Sequence, residues 1–145
     1  MNKKRVYEAT LKIAKKISRT RDGSLFVIGP ASKFRRTYDL LYPNLKIRGD
    51  LLKHDVLAVI EKLATLDGAI LISDQGKIIA YGAKLKKSIT LPGYGTKHAA
   101  AVGITTYIKD STAILVSEEI DWIKVFQKGK IILEMDSQEN PKSIE

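Results

Sequence analysis

The chain has 145 residues, 44% hydrophobic and 28% charged, which suits one domain with a sizeable core. It has no cysteine, which excludes disulfides and thiolate metal sites; no apolar run is long enough for a membrane span, and the basic Met1-Asn2-Lys3-Lys4-Arg5 leads into amphipathic sequence rather than a signal core. A formal net charge of +9 favours a polyanionic ligand (nucleotide, nucleic acid or acidic membrane), although charge of this kind also serves solubility alone.

Residues 3 to about 18 place Val6, Thr10, Ile13, Ala14 and Ile17 at helical spacing, and the intervening lysines read as a solvated face. Arg21-Asp22-Gly23 is a turn. Leu25-Phe26-Val27-Ile28-Gly29, closed by Pro30, is a short apolar run that predicts a buried strand. Residues 30 to 50 give no clear element. Arg35-Arg36 there reads as surface loop, with phosphate contact as the alternative, and Tyr38, Leu40, Leu41, Tyr42 and Leu45 should pack somewhere on the core. Asp50 predicts the N-cap of a second helix running to about Leu66, with Leu52, Val56, Val59, Ile60, Leu63 and Ala64 as its buried stripe. His54 has no acidic or histidine partner at ligand spacing and reads as structural.

Asp67-Gly68-Ala69 opens the stretch on which the chain is organised. Ile70-Leu71-Ile72-Ser73, the turn Asp74-Gln75-Gly76 and Lys77-Ile78-Ile79-Ala80-Tyr81-Gly82 predict a hairpin with glycine at the left-handed loop position. Lys84, Lys86 and Lys87 then either draw in a triphosphate or solvate a loop. Pro92-Gly93-Tyr94-Gly95 ends in Thr96, a good N-cap, and a helix follows from Lys97 to about Ile108. Unpaired N–H groups at such a helix start make an anion site; ordinary loop-to-helix punctuation is the alternative. The order of residues in Gly93-Tyr94-Gly95-Thr96-Lys97 does not match Gly-x-x-x-x-Gly-Lys-Ser/Thr, so a Walker-type NTPase is not expected.

Ala113-Ile114-Leu115-Val116 predicts a strand that ends in Ser117-Glu118-Glu119. Two carboxylates there can hold a metal or form an acid–base pair, a surface loop being the commoner explanation. Residues 122 to 135 predict a second hairpin about Lys128-Gly129, with Trp122 and Phe126 in the core. The polar residues 136–145 read as a frayed tail. Together these elements predict an α/β fold, a single domain over 1–135 with a central mixed β-sheet flanked by helices.

Asp67-Gly68-Ala69, Gly95-Thr96-Lys97-His98 and Val116-Ser117-Glu118-Glu119, in this order and with these flanks, resemble the DisA-type diadenylate cyclase domain, nearest its archaeal branch. The resemblance implies that the chain joins two ATP into cyclic di-AMP, releases two pyrophosphates, and uses Mn²⁺ or Mg²⁺, with Co²⁺ in some cases. It implies that Asp67 approaches the ribose 3′-hydroxyl and binds the metal, and that Gly68 and Ala69 lie against the nucleotide with Leu85 near the adenine. Gly95, Thr96, Lys97, His98 and Ser117 would line the triphosphate, and Glu118 would be a further contact to nucleotide and metal. Each 3′-hydroxyl must attack the α-phosphate of the other ATP, so an active face-to-face homodimer is expected, with a higher oligomer an open alternative. A cytoplasmic site is expected, with neither membrane nor nucleic acid as a partner.

The family typically carries Arg-His-Arg where this chain has Lys97-His98-Ala99. Lysine loses the bidentate fork, and alanine removes a charge. The alternatives are therefore a nucleotide-binding regulatory module of the same fold and a basic nucleic-acid-binding domain. The second would need an exposed aromatic platform, and aromatic residues make up only 7% of the chain.

Overall fold

The computed structural model describes residues 3–20, 23–42, 54–64, 66–118 and 121–141. Seven strands form one sheet: β1 (Ser24–Gly29), β2 (Tyr38–Leu40), β3 (Ala69–Ser73), β4 (Ile78–Leu85), β5 (Thr112–Val116), β6 (Ile123–Gln127) and β7 (Lys130–Met135). Their order is β2-β4-β3-β1-β5-β6-β7. The β1–β3 pair is parallel and the others antiparallel, the mixed sheet expected. A parallel neighbour needs a long connection, and the chain between β1 and β3 provides it with β2 and helix α2 (His54–Leu63).

Helix α1 (Lys3–Ser18) and α2 cover one face of the sheet, and α3 (Thr96–Tyr107) covers the other. The central strand β1 is therefore buried along its whole length, as a sheet covered on both sides requires. Phe26 and Ile28 join Ile70, Ile72, Ile114 and Val116 against α1 and α2. Leu25 and Val27 join Ala69, Leu71, Ala113, Leu115 and Phe126 beneath α3. The alternation continues in β6, where Ile123 and Val125 face α1 while Phe126 faces α3.

Both hairpins form. Gly76 sits at φ +88°, and the Ser73 hydroxyl accepts the N–H of Lys77 at 3.0 Å. Lys128 and Gly129 both take positive φ, 52° and 77°, which suits a tight two-residue turn. Three expectations change. β4 continues past Gly82 to Leu85, because the short edge strand β2 pairs with it, Tyr38 opposite Leu85. Thr96 is the first helical residue and Gly95 the N-cap, with no side-chain cap bond. Residues 136–141 are tied down: Ser137 donates its N–H and hydroxyl to the Asp121 carboxylate at 2.7 and 2.9 Å. Asp22, Leu45, Asp50, Leu52 and Glu119 lie outside the described residues, as do the side chains of His54 and Val56.

Gly103 sets the height of α3. A Cβ there would run into the carbonyl of Lys87 and the backbone of Ser88, so this helix lies directly on the chain leaving β4. Alanine normally favours a helix interior over glycine by roughly 0.5–1 kcal/mol. Here Gly103→Ala is expected to destabilise the fold by about 1–3 kcal/mol, the usual cost of overpacking, in urea unfolding. Equal or greater stability would contradict this packing.

Candidate functional site

At one end of the sheet, where β1, β3 and β6 begin and β4 and β5 end, the α3 side opens into a cavity of about 1090 Å³. That is slightly above the ~300–1,000 Å³ usual for small-molecule sites. Its floor is apolar, made by Leu25, Ala69, Ala83, Leu85 and Leu115, the exposed end of the core layer beneath α3. Polar side chains, among them Asp67, Lys84, Thr96, Lys97, Ser117 and Lys124, line part of the remainder.

A close backbone crossing brings Asp67 to this cavity. Gly68 has φ +90°, and a Cβ on it would lie 2.6 Å from the Gly82 carbonyl carbon and 2.8 Å from the Ala83 nitrogen. Only glycine takes that φ without strain and lets β4 pass so near. Gly82, at φ +57°, is covered in turn by the ring of Tyr42. Asp67 is exposed on the cavity wall, and no side-chain hydrogen bond or ion pair to a described residue engages its carboxylate.

The start of α3 forms the opposite wall. Its first backbone bond runs from Ala99 N–H to Gly95 O at 3.1 Å, so the N–H groups of Thr96, Lys97 and His98 have no partner within the helix. The His98 ring stacks on Tyr94 with centroids 4.0 Å apart and meets the edge of Phe126 at 5.0 Å. Both of its ring nitrogens are buried without a hydrogen-bond partner among the described residues, an arrangement that costs about 1–3 kcal/mol per group. Burial, and next the charge of Lys124, hold His98 below the usual histidine range. At neutral pH it is therefore an uncharged ring with one donor and one acceptor nitrogen.

The third wall comes from β5 and β6. Ser117 N–H donates to the Trp122 carbonyl at 2.9 Å, which closes the connection between these strands. Glu118 is exposed and lies 4.0 Å from the Lys97 ammonium. Trp122 is anchored by its indole N–H, which donates to Glu134 at 3.0 Å. Lys124 is only 8% exposed, and its Nζ lies 4.8 Å from the Trp122 ring and 5.3 Å from the Tyr94 ring.

All ten residues singled out from sequence line this one cavity: Asp67, Gly68, Ala69, Leu85, Gly95, Thr96, Lys97, His98, Ser117 and Glu118. Of the three lysines after the hairpin, Lys84 lines it; Lys86 pairs with Asp39 at 3.6 Å, and Lys87 lies over the Tyr107 ring. Arg35 and Arg36 are exposed and lie outside the lining. Sequence reasoning missed Tyr94 and Lys124 and assigned Trp122 to the core, whereas it is half-buried in the cavity wall. The signal was present: alternation along Trp122-Ile123-Lys124-Val125-Phe126 puts Trp122, Lys124 and Phe126 on one face.

Residues 12–131 match the model of a family described as DisA bacterial checkpoint controller nucleotide-binding. A diadenylate cyclase of Methanocaldococcus jannaschii is 29% identical, over 94% of this chain and 47% of its own. A diadenylate cyclase of Haloferax volcanii is 32% identical, over 92% of this chain and 52% of its own. The chain thus spans about half the length of these curated relatives. A Bacillus cereus structure described as a hypothetical membrane spanning protein superposes with a TM-score of 0.69 at 20% identity, covering 86% of this chain and 61% of that one. A double mutant of DacA from Staphylococcus aureus superposes with a TM-score of 0.60 at 23% identity, covering 92% and 89%. These two likenesses show the shared fold.

The His98 environment is directly measurable. With its folded-state value depressed, the unfolded chain takes the proton first as pH falls. This contribution to stability is present above the ordinary value of about 6.5 and is lost as pH falls through the folded value. In ¹⁵N NMR, His98 should titrate below that ordinary value, and Lys124→Gln should raise the midpoint. A midpoint at or above the ordinary value would contradict the burial and charge described.

Proposed function

The chain belongs to the DisA-type diadenylate cyclase family, and from that premise we propose that residues 1–135 condense two ATP into cyclic di-AMP with release of two pyrophosphates. The observation that carries this reading is that Asp67 and the start of α3 line the same cavity. A carboxylate without a described partner and a set of open N–H donors are the two things that attack by a hydroxyl on a phosphate requires.

A ribose hydroxyl is a poor nucleophile at neutral pH. Asp67 orients the 3′-hydroxyl and accepts its proton. The adenine lies over the apolar floor at Leu85, with Gly68 and Ala69 against the nucleoside. Gly95, Thr96, Lys97, His98 and Ser117 hold the triphosphate, and Lys97 and the helix dipole stabilise charge on it as pyrophosphate leaves.

The donor set fits a divalent ion carried in by the nucleotide. Asp67 and Glu118 supply hard oxygen ligands on one cavity, and the described residues contain no cluster of three or more potential metal ligands. One or two carboxylates completed by phosphate oxygens is how Mg²⁺-type ions are usually held, and oxygen donors suit Mn²⁺ as well. Such an ion would neutralise phosphate charge and raise the acidity of the bound hydroxyl.

With one nucleotide in each cavity, the product needs two reciprocal attacks. The catalytic unit is therefore a homodimer with the two cavities opposed across a two-fold axis. No helix among the described residues is long and apolar enough to cross a membrane, and the reading assigns the activity to the cytoplasm, where ATP is supplied.

Incubation with ATP and Mn²⁺ should yield cyclic di-AMP by mass spectrometry, with specific activity rising with protein concentration. Asp67→Asn should lower turnover at least about 100-fold, the low end for losing a general base, while ATP affinity stays within a few fold. Absence of product from the wild type, or full turnover by the variant, would overturn the reading.

A further inference from the structure

The mechanism above leaves one buried charge without a task. Lys124 is only 8% exposed and stands on β6 between Trp122 and Phe126. No carboxylate among the described residues pairs with it. Glu134, opposite Lys124 in the β6–β7 register, accepts the Trp122 indole N–H rather than an ammonium hydrogen, and Glu118 lies by Lys97. Its ammonium rests between two aromatic rings, Trp122 and Tyr94. Cation–π contact offsets part of the desolvation of a buried cation, but a counter-ion would offset far more.

The place where a counter-ion fits is open. Lys124 lines the same cavity as Lys97, Thr96 and His98, and its ammonium lies 5.3 Å from the ring of Tyr94 in the loop that leads into α3. A ligand group reaching that wall meets two ammonium groups, a helix start and a neutral imidazole. That set matches a polyphosphate, whose several oxygens can engage separate donors.

We propose that Lys124 is a phosphate-binding residue of this cavity, taking the anionic end of a polyphosphate jointly with Lys97 and the start of α3. The assignment of that anion to the triphosphate of ATP rests on the cyclase reading; the anion site itself does not. Lys124 thereby places a second cation on the phosphate wall from β6, an element remote in sequence from the helix start.

The test separates anion recognition from packing. Calorimetric titrations with inorganic tripolyphosphate and, separately, with adenosine compare the wild type with Lys124→Gln, Lys124→Met and Lys124→Arg. Lys12→Gln on the solvated face of α1 serves as the control. Lys124→Gln and Lys124→Met should bind tripolyphosphate at least about tenfold more weakly, as expected when one member of a desolvated charge pair is removed. Adenosine affinity should be unchanged, and arginine should restore most of the loss. Equal tripolyphosphate affinity in wild type and both neutral variants would overturn the proposal. So would a parallel loss of adenosine binding, which marks a purely structural lysine, or a wild type that ignores tripolyphosphate. Cyclic di-AMP formation is scored independently. A cyclising enzyme indifferent to Lys124 sinks only this inference; a Lys124-dependent anion site in a chain that makes no cyclic di-AMP sinks only the cyclase reading.

Discussion

The position of the His98 ring is the contact on which the site depends. It stacks on Tyr94 from the preceding loop and meets the edge of Phe126 from β6. One side chain thus pins loop, helix start and sheet together. Aromatic pairs of this geometry contribute about 0.5–1.5 kcal/mol beyond their buried area, and a ring held from two directions has little freedom to move. The helix start is fixed over the open end of the sheet as a result, and Thr96, Lys97 and His98 line the cavity. Gly103 serves the same end further along, letting α3 lie against the chain at Lys87 and Ser88.

The charge distribution follows from this frame. Asp67 arrives from the β3 side on a glycine crossing that no other residue type would permit. Lys97, Lys124 and the helix dipole gather on the α3 and β6 side. The depressed His98 keeps its ring neutral beside Lys124, so positive charge is carried by the lysines and hydrogen bonding by the imidazole. Asp67, Glu118, Lys84, Lys97 and Lys124 share one cavity, so both signs of charge are present on its lining.

Much of this was legible in the chain. Apolar runs marked β1, β3 and β5, and the turn chemistry at Gly76 and Gly129 marked both hairpins. Asp67, Thr96, Lys97 and His98, grouped from acid, glycine loop and helix start, line one cavity. What was not legible depends on pairing. β2 has three residues and acquires its strand character only from β4, which it extends to Leu85. Thr96 looked like a cap, but the chain enters the helix one residue earlier, at Gly95. Trp122 and Lys124 were obscured by reading their strand as a hairpin rather than as two faces. A lysine sharing a face with a core phenylalanine signals a buried charge, and the period of two alone would have revealed it.

The central claim is that the carboxylate of Asp67 and the helix start at Thr96 to His98 act on one ATP. A crystal structure with Mn²⁺ and 3′-deoxy-ATP, which lacks the attacking hydroxyl, tests it most directly. The account predicts adenine against Leu85, the ribose 3′ carbon beside the Asp67 carboxylate, and phosphate oxygens on the N–H groups of α3. A nucleotide bound with its ribose turned away from Asp67, or with its phosphates outside the reach of α3, would contradict it.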